Sequence, residues 1–145
     1  MKKYILIAAL ILFIAVSFIF YIYRAQDLGD VVNIDQVDGI FLTTAESERE
    51  NEGIEIEIPK VSQEQKRELG DFLNQYQVRL TMKEGWSSEN PSEQFTLRIV
   101  YKNGEFEIFI FDHDVVASTR IYEVVNAPLD YKWIQEFERE LHSNE

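Results

Sequence analysis

Residues 95–111 read FTLRIVYKNGEFEIFIF, and this stretch decides the fold class. Phe95, Leu97, Ile99 and Tyr101 alternate with Thr96, Arg98 and Val100, the period of two that marks a strand with one buried face. Asn103-Gly104 separates this run from a second one, Glu105–Phe111. An Asn-Gly pair between alternating runs signals an antiparallel hairpin, because both residues tolerate positive φ. In the second run Phe106, Ile108 and Ile110 point one way, and Glu105, Glu107, Phe109 and Phe111 the other. Both faces therefore carry apolar side chains, which allows part of the second face to be covered as well.

Working outward from the hairpin, Asp112-His113-Asp114 reads as a turn, and Val115, Val116 and then Ile121–Val125 supply the last strands. Asn126 or Asp130 caps a closing helix with the stripe Trp133 or Ile134, Phe137 and Leu141. Upstream, a polar loop over 84–94 contains Trp86 and Pro91. Before it, Val78, Leu80 and Met82 alternate with Arg79, Thr81 and Lys83 as another strand. Ser62 with Gln65 forms a capping box for a helix whose stripe is Leu69, Phe72, Leu73 and Tyr76. Gly70 weakens that helix by up to about 1 kcal/mol relative to Ala. Ile54, Ile56 and Ile58 alternate with Glu55 and Glu57 in a further strand ended by Pro59. Val31, Val32, Ile34 and Val37, then Ile40, Phe41 and Leu42, suggest one or two strands with a break at Asp38-Gly39. The order β-β-α-β-β-β-β-α with short turns predicts an α+β, two-layer domain: a mainly antiparallel sheet with two amphipathic helices on one face.

The N-terminus is of a different kind. After Met1, Lys2 and Lys3, residues 4–23 carry no charge. As a helix this 20-residue run spans about 30 Å, the thickness of a bilayer's hydrocarbon core. Tyr21, Tyr23 and Arg24 close it as an interfacial belt would. Lys2 and Lys3 place the N-terminus in the cytoplasm and the remainder outside. A cleaved signal peptide has a shorter apolar core, about 7–15 residues, followed by a small-residue site; here Ala15-Val16-Ser17 lies inside the run. The expected organisation is a signal-anchor transmembrane helix over 1–24, a short linker over 25–30 and an extracytoplasmic α+β domain over 31–145.

The chain has no cysteine, so the domain holds itself together without disulfides or thiolate metal sites. After residue 24 there are 11 Lys and Arg against 26 Asp and Glu, a net charge of −15. That argues against a nucleic-acid partner, whose affinity rests on phosphate neutralisation. It argues equally against a domain that lies flat on an anionic membrane.

Candidate chemistry is sparse. Asp112, His113 and Asp114 are the weak candidates for a divalent cation or a polarised water, but Asp also favours turns for local hydrogen-bonding reasons. Glu46, Glu48, Glu50 and Glu52 lack the glycine-centred spacing of a calcium loop and read as a solvated connector. His142 complements the C-terminal end of the closing helix. Tyr122 and Tyr131 could line a cleft between the sheet and that helix. Trp86 is the candidate partner-binding residue, since aromatics carry much of the energy at interfaces; the competing role is a lid on the core. There is no nucleophile elbow and no Gly-rich phosphate loop. No cofactor is expected, and the chain is not expected to be an enzyme.

The Met1-Lys2-Lys3 head with its apolar run, the hairpin from Phe95 to Phe111 and the closing segment from Tyr122 to Leu141 resemble a known type. It is that of the small uncharacterised membrane-anchored extracytoplasmic proteins of low-GC Gram-positive bacteria. The resemblance implies location and general type, and carries over no functional residue. Three functions remain: a binding or accessory module for an envelope protein, an immunity or inhibitor protein against a cationic toxin or protease, and a hydrolase or metal-binding domain.

Overall fold

The Asn103-Gly104 turn joins two seven-residue strands, as its sequence requires. Its geometry differs in one respect. Only Gly104 takes a positive φ, +84°. The Tyr101 carbonyl accepts from the Gly104 amide and the Tyr101 amide donates to Glu105, so the loop is the three residues Lys102, Asn103 and Gly104. Asn103 contributes through its side chain instead, whose Oδ1 accepts from the Glu105 amide at 3.0 Å.

The structure, a computed structural model, describes residues 2–45, 47 and 58–143. The elements in chain order are α1 (Lys2–Ile22), β1 (Gln26–Asp27), α2 (Leu28–Val32), β2 (Val37–Thr44), α3 (Gln63–Leu73), β3 (Gln77–Leu80), β4 (Phe95–Tyr101), β5 (Phe106–Asp112), β6 (Val115–Ala117), β7 (Ile121–Val124) and α4 (Tyr131–Ser143). The strands form one curled, seven-stranded sheet in the order β1-β3-β7-β6-β5-β4-β2, antiparallel throughout. The α+β class and the antiparallel sheet expected from the sequence are present. The expected Ile54–Ile58 strand and the Glu46–Glu52 patch lie outside the described residues, apart from Ile58. Beside Ile58, Pro59–Val61 runs antiparallel along the outer edge of β2, with Ile40 donating to the Pro59 carbonyl and Val61 to that of Asp38.

One face of the sheet is covered. Ile40, Leu42, Leu97, Ile99, Phe109, Phe111, Val116 and Val78 point toward α2, α3 and α4, and all are buried. Across the hairpin Phe95 stacks on Phe111 with centroids 4.5 Å apart. Between the helices Trp133 stacks on Phe72 at 3.9 Å and on Phe137 at 4.9 Å, which locks α4 against α3. α3 begins in the expected capping box, Ser62 Oγ accepting from the Gln65 amide and Gln65 accepting from the Ser62 amide. α4 is capped by Asp130, whose Oδ1 accepts from the Lys132 and Trp133 amides. Asn126, the other candidate cap, serves the sheet: it accepts from the Gln77 amide and donates to the Gln75 carbonyl.

The segment 25–30, expected as a linker, is part of the domain. Gln26 and Asp27 pair with β3, and Leu28 is fully buried in the core. Residues 31 and 32, expected in a strand, complete α2, which ends at Asn33 in the left-handed conformation (φ 53°). β-branched residues favour strands only weakly, and here the helical turn buries Leu28 and Val32 on one side. Only Tyr23, Arg24 and Ala25 then separate α1 from the sheet. α1 itself makes no burial with the domain, and residues 3–22 are long and apolar enough to cross a membrane, as a signal sequence also would be.

Candidate binding surface

The second face of the sheet is built from the alternate positions: Phe41 and Thr43 on β2, Thr96, Arg98 and Val100 on β4, Phe106, Ile108 and Ile110 on β5, Ala117 on β6 and Ile121 on β7. No helix lies on it among the described residues. Its two halves differ. Over β2 and β4, the Arg98 guanidinium donates to Thr43 Oγ1 at 2.9 Å and lies 6.0 Å from the Phe41 ring, so a cation with its stem covers that half. Over β5, β6 and β7 the face is more open among the described residues, although Ala117 is buried between its neighbours. Phe106 remains 53 % exposed and Ile108 40 %.

The open half is walled into a groove of about 890 Å³. Ile108, Ile110, Ala117 and Ile121 contribute its apolar floor, the 118–120 turn one wall, and residues 80–86 with Trp86 the other. Trp86 thus lies on the side of the sheet opposite the core and is half-buried; its place is beside the groove, and it is no lid on the main core.

Asp112 fixes the loop that carries Trp86. It sits at the end of β5 on this second face, and is buried. Its Oδ2 accepts from the Glu89 amide at 3.1 Å and its Oδ1 from the His113 amide at 2.7 Å. Burial pushes the carboxyl pKa up, but the donors from Ser88, His113, Asn90 and Glu89 outweigh it and hold the group below the ordinary Asp value. The Ser88 hydroxyl acts from close by without full hydrogen-bond geometry. The other two members of the expected cluster point elsewhere. His113 is exposed with Nδ1 3.4 Å from Glu93 Oε2, and Asp114 is exposed, its main-chain carbonyl accepting from Val124. Among the described residues no three His, Asp or Glu side chains converge on a point where an ion could sit.

His142 is exposed at the end of α4, edge-on to Phe41 with centroids 6.0 Å apart. It borders a second groove with Glu64, Glu68 and Glu140, where burial and then Glu140 and Glu64 raise the Glu68 pKa. Tyr122 and Tyr131 are half-buried against the core, Tyr122 from the sheet and Tyr131 from α4.

Two carboxylates escaped the reading of the sequence. Glu138, 7 % exposed, accepts from the Thr44 amide at 3.0 Å and from Ser47 Oγ, tying α4 to the end of β2. Glu107 lies on the core face, where it meets the Tyr101 hydroxyl at 3.1 Å and accepts from Ser118 Oγ at 2.6 Å. Burial, then Glu107, pushes the Tyr101 pKa far above the ordinary tyrosine range. The signal was available: each acid interrupts an apolar stripe, Glu138 beside Ile134, Phe137 and Leu141, and Glu107 in line with Phe109 and Phe111.

No family model, curated protein or solved structure matches this chain.

Proposed function

We propose that the chain is a single-pass membrane-anchored module, held by residues 4–23 with its N-terminus in the cytoplasm, whose extracytoplasmic domain binds an envelope protein through the open half of the sheet. The groove carries this reading. Among the described residues, a face lined by Ile108, Ile110, Ala117 and Ile121 is left without a covering helix, while a loop is pinned at Asp112 and Trp86 forms its wall. Large half-exposed apolar surfaces bordered by a fixed aromatic suit a protein contact. Type and location also agree with the resemblance to small anchored proteins of low-GC Gram-positive bacteria.

A photo-crosslinking residue placed at Ile108 in the full-length chain in cells tests this. One dominant envelope protein, captured at Ile108, lost on Trp86→Ala and not captured from Asn126, is expected. The same set of abundant proteins from both positions would overturn it.

The net charge of −15 favours a second reading, an immunity or inhibitor protein that meets a cationic toxin or protease. Its association would slow steeply with salt, and a salt-insensitive rate would remove it. The hydrolase or metal-binding reading draws no support from Asp112, whose oxygens are turned to loop amides.

A further inference from the structure

The sheet register fixes which end of the domain faces α1. β1 runs antiparallel to β3 with Gln26 opposite Val78 and Asp27 opposite Gln77. Going back toward α1, the chain therefore leaves the sheet alongside the C-terminal end of β3. Leu80 pairs with Tyr122, Ala117 with Ile121, Val100 with Phe106 and Val37 with Tyr101. The loop after β3, the 118–120 turn and the 102–105 turn consequently share the end from which α1 departs. Asp112 and His113 mark the opposite end. Three residues join α1 to β1, and their extended reach is about 11 Å.

This end differs from the rest of the domain in charge and in exposed apolar surface. Arg24, Lys83, Lys102 and Arg120 stand here against Glu84, Glu105 and the half-buried Glu107, and Asp35 and Asp38 at the β2 corner are matched by Lys66 and Lys60. The domain as a whole carries −15. Met82 is 79 % exposed and Phe106 53 % exposed at the same end. Arg24 lies over the Tyr21 ring at 4.3 Å, an aromatic and a cation together where the apolar helix stops.

We propose that this end of the domain rests on the lipid surface into which α1 inserts, with Met82 and Phe106 entering the headgroup layer and Lys83, Lys102 and Arg120 facing anionic phosphates. The inference rests on α1 spanning a membrane. Within reach of a three-residue tether, each cation of the rim is attracted by an anionic surface, while the net negative remainder of the domain is repelled from it. The charge argument against a domain lying flat on the membrane holds for its sides and far end, but not for this rim. Docked in this way the domain stands on end, and the groove opens sideways, parallel to the bilayer, toward a neighbouring membrane protein.

The chain has no native cysteine, so single spin labels report depth without ambiguity. The full-length protein is placed in nanodiscs of phosphatidylglycerol and phosphatidylethanolamine, with labels at Leu12→Cys, Met82→Cys, Phe106→Cys, Lys102→Cys and His113→Cys. Relative collision rates with oxygen and with a water-soluble nickel chelate give each depth. The expected result is Leu12 deep in hydrocarbon, Met82 and Phe106 at headgroup depth with ratios several-fold above that of His113, and Lys102 between them. The contrast should fall when the discs are made of phosphatidylcholine alone, or when Lys83, Lys102 and Arg120 are all changed to Glu. Leu12 deep with Met82, Phe106 and Lys102 as water-exposed as His113 would overturn the docking and leave the anchor standing. Leu12 in water would overturn the anchor and the docking together.

Discussion

Phe109 and Ile108 are neighbours in the chain and lie on opposite faces of the same strand. Phe109 is 1 % exposed under three helices, and Ile108 is 40 % exposed on the floor of a groove. Both are large and apolar, so hydrophobicity alone does not distinguish them. What distinguishes them is where α2, α3 and α4 settle. The covered face supplies the core, and the floor of the groove on the other face leaves part of its apolar surface exposed.

The strongest test of this contrast is a pair of truncations. Phe109→Ala should cost about 3–5 kcal/mol, read as a drop in the urea midpoint, while Ile108→Ser should stay within about 0.5 kcal/mol of the wild type. Equal costs would mean that the groove floor is core. Leu28→Ala comes next. A residue in a true linker would be indifferent to truncation, but Leu28 is fully buried at the start of α2, and about 2–5 kcal/mol should be lost.

Asp112→Asn sharpens the contrast from the side of the loop. Its carboxylate accepts the amides that hold 88–90 over the second face, so the variant should lose about 1–3 kcal/mol and increase amide exchange in residues 84–94. The sign with pH follows from the lowered pKa. The folded state binds its proton at lower pH than the unfolded chain. The stabilisation is therefore complete above the unfolded value of about 3.9 and is lost as pH falls through the lower folded value. Urea midpoints from pH 6 down to pH 2 should show this loss in the wild type and a flatter profile in Asp112→Asn. The smallest effect is at the hairpin. Gly104→Ala forces a Cβ into the left-handed region at φ +84°, in open space, and should cost about 1–2 kcal/mol in a thermal melt.

Much of this domain was legible because its signals are local. The alternation of 95–101 and 106–111, the capping box at Ser62 and Gln65 and the cap at Asp130 each depend on residues within a few positions of one another. Other features were hidden because their cause lies far along the chain. Gln26–Val32 became strand and helix only by pairing with β3, about fifty residues away in sequence, and burying Leu28 beside α3. Asp112 read as a turn residue, with ligand or catalyst as weak alternatives; its part in holding loop 88–90, 22 to 24 positions upstream, was not legible.

By itself the sequence determined that an apolar helix precedes an acidic α+β domain, and that a hairpin centred on Asn103-Gly104 organises the sheet. These follow from composition and period, which belong to a short stretch of chain wherever it goes. Only the tertiary structure decided which side of that hairpin is interior. A strand with apolar residues on both faces has no inside of its own; it acquires one when helices from distant parts of the chain cover one face and leave the other to Trp86.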